Sequence, residues 1–257
     1  MRSAMLPLLV VVPAYNEEAA LGTLLDGLKI SVPDASVLVV DDGSDDRSAE
    51  VARGHGARVV SHPHNLGYGV TVQTGLLYAL RRGFGTVVHI DGDGQHDPVD
   101  VPRLLEALEL GADVAIGSRF LAGAYPSTLL RRLGSRWFAA LASLILGQRI
   151  TDPTSGFRAM QGSVLSLYAS EQYPPDYPDA DLLILTHRHG FKIKEVAVQM
   201  RPRRSGEAKL HRGLRPIYYV IKMMLSILVI LLRRAPQTEP IPIGSAPKGR
   251  ARGPGAA

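Results

Sequence analysis

The sequence predicts an α/β fold: a mostly parallel sheet covered by helices on both faces. Three observations predict it. Short apolar, β-branched runs alternate with segments of helical apolar spacing through the first 120 or so residues. Hydrophobic residues make up 46% of 257, enough for one large domain or a domain plus an appendage. Polar clusters follow Val12, Val40 and Ile90, which puts all three at the carboxyl edge of such a sheet, where ligands bind.

The elements follow in order. Leu8 to Val12 is a β-branched run and reads as the first strand. Met1-Arg2 and the apolar residues after it faintly resemble a signal peptide. The run has no small-residue cleavage site and enters Pro13, so a strand is expected there. Leu21, Leu24, Leu25 and Leu28 recur at helical spacing, with Glu17 and Glu18 suited to a helix N-terminus. Val37 to Val40 is the second strand, closed by Asp41-Asp42-Gly43-Ser44, and a polar helix runs from there to about Arg53. Arg58 to Ser61 is the third strand, Val70 to Leu80 the third helix, and Thr86 to Ile90 the fourth strand. Asp97 and Pro98 form an N-cap and first-turn pair for a helix that turns Val101, Leu104, Leu105 and Leu108 inward. Val114 to Ile116 is the fifth strand.

The second half reads differently. Leu129 to Leu146 sets Arg131, Arg132 and Arg136 among Leu133, Trp137, Phe138, Leu141 and Leu144, an amphipathic basic helix. Such a helix packs on a core or lies on a membrane surface, and the pattern leaves both open. Ile217 to Leu232 is almost wholly apolar, interrupted by Lys222 and Ser226. It spans roughly 24 Å as a helix, against the ~30 Å of a hydrocarbon core. Bases flank both of its ends, so an in-plane helix is as plausible as a single span. Pro, Gly, Ala and Arg dominate from Ala235 on, a composition that predicts disorder. The expected division is therefore a catalytic domain over 1–213 (with the surface helix at 129–146), a membrane-associated helix over 214–234, and a basic tail over 235–257.

The formal net charge is +5. After Leu232, five bases against Glu239 account for +4 of it, which leaves the preceding part near neutral. That argues against nucleic acid and for an anionic membrane surface. Cysteine is absent, which excludes a disulfide framework and thiolate metal sites.

Asp91-Gly92-Asp93-Gly94-Gln95-His96-Asp97-Pro98 carries the most chemistry. Two carboxylates one residue apart at a strand end can converge on a hard cation, Mg²⁺ or Mn²⁺. Mg²⁺ usually takes one or two carboxylates and completes its shell with substrate phosphates, so a phosphate-bearing substrate is implied. A calcium EF-hand loop is excluded, because His96 and Pro102 stand where it needs Gly and Glu. Gly67-Tyr68-Gly69 lacks the third Gly of a dinucleotide fingerprint, and no Gly-Lys-Ser/Thr loop exists.

Seven motifs in order carry a resemblance. They are Val12 to Glu18 (VPAYNEE), Val40 to Ser44 (VDDGS), Asn65 to Gly69 (NLGYG), Asp91 to Pro98, Gly117 to Phe120 (GSRF), Thr151 to Arg158 (TDPTSGFR) and Glu195 to Val198 (EVAV). The chain resembles the family-2 inverting glycosyltransferases of the GT-A (Rossmann-like) fold, and among them the polyprenyl-phosphate hexosyltransferases. The resemblance spans about Leu6 to Leu232. The Gln-x-x-Arg-Trp motif of processive polysaccharide synthases is absent, and Ala208 replaces a Ser common in the family.

The resemblance implies roles. Pro13, Tyr15 and Glu17 line the base pocket of a nucleotide-sugar, with Asp42 on the nucleoside. Asp91, Asp93 and Gln95 hold the metal that bridges the diphosphate. Arg119, Arg131, Ser135 and Arg203 meet the acceptor phosphate. Asp152 lies near the reaction centre, and with Asp93 and Arg119 completes the expected catalytic set. The expected reaction is metal-dependent transfer of one hexose, with inversion, from a UDP-glucose or GDP-mannose type donor to polyprenyl phosphate. The motifs lean slightly toward the uridine users. The expected place is the cytoplasmic face of a membrane. A transferase for a saccharide or other soluble acceptor is the alternative; a non-catalytic membrane-associated scaffold is a remote one.

Overall fold

The computed structural model describes residues 7–121, 129–176, 178–201 and 215–233. The strands are β1 (Leu8–Ala14), β2 (Ser36–Asp41), β3 (Arg58–Ser61), β4 (Thr86–His89), β5 (Val114–Ser118), β6 (Arg158–Gln161) and β7 (Ile193–Ala197). The helices are α1 (Glu18–Ser31), α2 (Ser48–Gly54), α3 (Tyr68–Arg81), α4 (Val101–Glu109), α5 (Leu129–Leu146), α6 (Ser163–Tyr168), α7 (Ala180–Arg188) and α8 (Arg215–Leu232). The strands form one sheet in the order β3-β2-β1-β4-β6-β5-β7. Neighbours are parallel except at β6, which is antiparallel to both β4 and β5.

Strand side chains alternate between two cores, so the apolar runs are buried on both faces. Leu9 and Val11 of β1, with Leu38 and Val40 of β2, meet α3 and the later helices. Val10, Val12 and Val39 meet the leucines of α1 and the apolar face of α4. Gly75 lets α3 lie against β1: a Cβ there falls 2.3 Å from Val11 Cγ1. Overpacking of this kind costs about 1–3 kcal/mol, against a helix-propensity gain of up to about 1 kcal/mol for Ala over Gly. Gly75→Ala is therefore expected to lower stability by about 1–2 kcal/mol, read as a lower denaturant midpoint at unchanged m-value.

The sequence did not announce β6. It is four residues long, begins with Arg158 and ends with Gln161, and has no β-branched residue. Its antiparallel direction has a functional consequence. The loop before β6, which carries Asp152 to Phe157, arrives at the edge where β1, β2, β4 and β5 end. Asp97 caps a short 3₁₀ turn, Pro98–Asp100, that precedes α4, through a bond from Val99 N to its side chain.

The two amphipathic helices pack differently from a simple stripe. In α5, Phe138, Ala142 and Leu146 are buried, whereas Trp137 and Leu144 are exposed. α8 lies along α7 and buries Met223, Ile227 and Ile230 at i, i+4 and i+7. Its polar interruptions face the protein. Ser226 Oγ donates to the buried Asp181 carboxylate at 2.5 Å, and Lys222 pairs with Asp176. Burial pushes the Asp181 carboxyl pKa up. Arg188 of α7 donates to the carbonyls of Leu231 and Arg233 at the end of α8. Among the described residues no helix is long and apolar enough to cross a membrane.

Candidate active site

The carboxyl ends of β1 and β2 hold two loops that lock each other. Asn16 sits at φ 58°, its N–H donating to Ser44 Oγ at 3.0 Å and its side-chain oxygen accepting from Asp45 N at 2.9 Å. Glu17 N donates to Ser48 Oγ, Glu18 N to Asp46, and Arg47 N to Glu18. Pro13 and Glu17 are buried and Tyr15 is partly buried along this seam. Both oxygens of Asp42 are engaged by the next loop. Oδ1 faces His62 Nδ1 at 2.8 Å and accepts from Leu66 N at 2.9 Å, and Oδ2 accepts from Gly67 N at 2.9 Å. Gly67 takes φ 98°, a value open to Gly and strained for other residues. Asp42 thus fixes the turn that starts α3.

Asp91 and Asp93 follow β4 at the centre of the sheet. Gly92 N donates to Pro13 O, which joins this turn to the β1 seam. Asp91 is 28% exposed, and its Oδ1 accepts from Tyr68 OH at 2.8 Å with His89 Nε2 at 3.5 Å. Burial acts to raise the Asp91 carboxyl pKa, but the bonds from His89 and Tyr68 outweigh it and hold the group well below the usual carboxylate range. His96 acts on Asp91 in the same direction, and burial pushes the His96 pKa itself down. Asp93 Oδ1 accepts from Gln95 N at 3.0 Å. Gln95 O accepts from Arg201 N at 2.7 Å, and Gln95 Nε2 donates to Arg201 O at 3.4 Å.

These three side chains fit a hard divalent cation in one particular way. The donors are all oxygen: two carboxylates, one of them held ionised, and the Gln95 amide. Among the described residues no three His, Cys, Asp or Glu side chains converge as a metal cage. The set therefore suits an ion whose remaining ligands come from a phosphate-bearing substrate and water.

Arg119 and Asp152 form the third part. Arg119 follows β5, and Asp152 lies on the loop before β6. Arg119 Nε donates to Asp152 Oδ2 at 2.6 Å and Arg119 Nη2 to Oδ1 at 2.9 Å, a bidentate pair. Asp152 is 1% exposed and Arg119 11%. Arg119 Nη2 also donates to Thr154 Oγ1, and Nη1 points to Met200 Sδ. The loop is tied to β7 by Glu195, whose oxygens accept from Thr151 N, Thr151 Oγ1 and Asp152 N at 2.8–2.9 Å. Burial raises the Glu195 carboxyl pKa, with those donors opposing it.

The parts share one edge. A Cβ on Gly156, in the Asp152 loop, falls 2.6 Å from Asp91 Oδ2 and from Tyr68 OH. His96 pairs with Met200, the residue beneath Arg119. The structure thus brings together Pro13, Tyr15, Glu17, Asp42, Asp91, Asp93, Gln95, Arg119 and Asp152. For the rest of the expected acceptor set, the Arg131 side chain lies outside the described residues. Arg131 lies in the first turn of α5, and Ser135 is partly buried in the next. Arg203, Ala208 and the 235–257 tail lie outside the described residues. Sequence reasoning gave no role to Tyr68, His89, Thr154 or Glu195. Tyr68, Thr154 and Glu195 stood inside the motifs, but nothing in their spacing says which partner each meets.

Residues 9–168 match the family model described as Glycosyl transferase family 2. The dolichyl-phosphate hexose transferase of Haloferax volcanii is 36% identical over 79% of this chain and 86% of its own length. The undecaprenyl-phosphate mannosyltransferase of Micrococcus luteus is 34% identical over 80% and 88%. Among solved structures, glucosyl-3-phosphoglycerate synthase from Mycobacterium tuberculosis, bound to Mn²⁺ and uridine-diphosphate-glucose, superposes with a TM-score of 0.67. It is 25% identical, over 88% of this chain and 79% of that one.

Proposed function

The chain belongs to glycosyl transferase family 2, and on that premise we propose that it moves a hexose from a nucleotide-sugar to polyprenyl phosphate at a membrane surface, with inversion. The glycosyltransferase class and the GT-A fold are properties of the family and of the sheet described above. The donor, the acceptor and the residue roles are the proposal.

The observation that carries the acceptor is the outer face of α8. Tyr218, Ile221, Leu225, Leu228 and Leu232 are exposed on a helix whose inner face is docked on α7. Trp137 and Leu144 of α5, which also packs on α7, extend the apolar surface. A soluble acceptor gives no reason for such a face; a lipid in a bilayer does. Docking along α7, with Ser226 and Lys222 turned inward, supports the in-plane reading of this helix. The catalytic unit is then 1–213, held on the cytoplasmic face of the membrane by 214–234. Ile221→Glu with Leu228→Glu is expected to abolish most liposome binding while leaving the unfolding midpoint within about 0.5 kcal/mol, as for exposed sites. Cosedimentation with anionic vesicles checks it.

Pro13, Tyr15 and Glu17 line the base pocket, and Asp42 shapes its far wall through the Leu66–Gly67 turn. Asp91, Asp93 and Gln95 hold Mg²⁺ or Mn²⁺, which when bound neutralises charge on the departing diphosphate. Arg119, Arg131, Ser135 and Arg203 supply donors and positive charge to the acceptor phosphate, with the Nε–Nη2 fork of Arg119 already held by Asp152. A phosphate oxygen attacks the anomeric carbon as the bond from that carbon to the nucleoside diphosphate breaks, and the diphosphate takes the bonding pair. A phosphomonoester has a second pKa of about 6, so the nucleophile is ionised without a base. Asp152, enclosed by Arg119 and Thr154, orients Arg119 rather than taking a proton.

Transfer measured in parallel to a short-chain polyprenyl phosphate, to the matching polyprenol and to 3-phosphoglycerate tests the acceptor. Product on the lipid phosphate alone is expected. Product on 3-phosphoglycerate alone overturns the lipid acceptor and keeps the transferase.

A further inference from the structure

We propose that Tyr68 is a positioning residue of the metal site: its hydroxyl fixes the rotamer of Asp91 so that the other carboxylate oxygen faces the cation. The inference rests on the reading of Asp91 as a metal ligand, and it assigns a role to a residue that the ligand set does not include.

The geometry is built from three sides. Tyr68 OH donates to Asp91 Oδ1 at 2.8 Å and lies 3.3 Å from His89 Nε2. The rings of Tyr68 and His89 are 5.8 Å apart between centroids. The hydroxyl therefore holds one oxygen of Asp91 on the protein side. The other oxygen, Oδ2, and the Tyr68 hydroxyl both border the space that Gly156 leaves free: a Cβ there falls 2.6 Å from each. A carboxylate pinned by one oxygen presents the other in a single direction, and such outer partners orient a ligand before the metal arrives.

Tyr68 is itself held in place. It is the first residue of α3, directly after Gly67, whose N–H is bound by Asp42. On its other side Gly69 N donates to Asp176 O, and a Cβ on Gly69 falls 2.3 Å from Pro175 O. Asp42 and the Pro175 turn thus clamp the backbone on both sides of Tyr68. The phenol O–H is a donor, and the Asp91 carboxylate is its acceptor. This links the β2 loop to the metal turn through a side chain: Asp42 sets Gly67, Gly67 sets Tyr68, and Tyr68 sets Asp91.

The test is Mn²⁺ titration of the full chain followed by electron paramagnetic resonance, with Mn²⁺ alone as the probe. Tyr68→Phe keeps the ring and removes only the hydroxyl. It is expected to weaken Mn²⁺ binding roughly 10- to 100-fold, the range for loss of an outer-shell partner. Tyr78→Phe, on the same helix with its hydroxyl near Arg58, is expected to bind as the parent does. In an Asp91→Asn background the Tyr68 change is expected to add nothing, because the pair acts as one unit. Thermal unfolding of each variant reads folding separately. Gly156→Ala, whose Cβ crowds both the Tyr68 hydroxyl and the Asp91 carboxylate, gives a second probe and is expected to weaken Mn²⁺ in the same way. Parent-like or tighter binding by Tyr68→Phe overturns the inference, as does an equal loss in Tyr78→Phe. Parent-like binding by Asp91→Asn overturns the metal reading itself.

Discussion

Asp152→Asn is expected to cut hexose transfer at least about a hundredfold, near 2.7 kcal/mol, while leaving the ascending limb of the pH–rate profile in place. The size follows from the pair that is broken. Asp152 meets Arg119 through both carboxylate oxygens, and both side chains are nearly sealed from water. An amide at that position turns an NH₂ toward an Arg119 donor and leaves the guanidinium charge without its partner. Removing one member of such a buried pair costs about 3–5 kcal/mol of stability, so a lower unfolding midpoint should accompany the loss of rate. The shape of the profile separates two roles. If the limb comes from the acceptor phosphate, ionising near 6, it survives the substitution. A profile that becomes flat on its acid side would make Asp152 the general base and contradict the positioning role.

Asp91→Asn is expected to lower transfer by about a thousandfold or more, with Asp93→Asn close behind. A bound cation supplies several kcal/mol of charge stabilisation to a leaving diphosphate, and about 4 kcal/mol is three decades of rate. The Asp91 carboxyl is held ionised by His89 and Tyr68. An amide there loses that charge and presents a weaker ligand. Folding should be little disturbed, because the carboxylate is part-exposed and its neighbours His89 and Tyr68 retain other contacts. Mn²⁺ binding measured without turnover separates loss of the ion from loss of chemistry. Rates within tenfold of the parent in both variants would remove the metal from the account.

The first half of the fold was legible because its information is local. β1, β2 and β4 are apolar runs ended by acidic turns, and α1 and α4 show inward leucines at helical spacing. Polar clusters after Val12, Val40 and Ile90 fall at the carboxyl edge, which puts Asp42 and Asp91 together, whereas Arg119 is placed only by the family resemblance. The second half was not legible in the same way. β6 has polar ends and no β-branched residue, β7 is interrupted by Lys194-Glu195, and the pairing partners of β6 and β7 are remote in sequence. The antiparallel insertion of β6 is what delivers Asp152 to Arg119 across 33 residues, and no local pattern encodes it. The Glu195 clamp spans 43 and 44 residues for the same reason.

Two side-chain readings changed in physical terms. Ser226 and Lys222 look like interruptions of an apolar segment, yet they are its anchors on Asp181 and Asp176. In α5 the large apolar residues do not all turn inward: smaller Ala142 is buried and Leu144 is 81% exposed. Periodicity finds an apolar face, but which residues a neighbouring helix covers depends on packing that only the assembled fold supplies.

The most direct measurement is transfer from a panel of labelled nucleotide-hexoses to a short-chain polyprenyl phosphate, with Mg²⁺, with Mn²⁺ and with chelator. The account predicts a hexosyl lipid phosphate from one donor, formed with metal and lost with chelator. Metal-independent product, or donor hydrolysis with no lipid product under every condition, would contradict it.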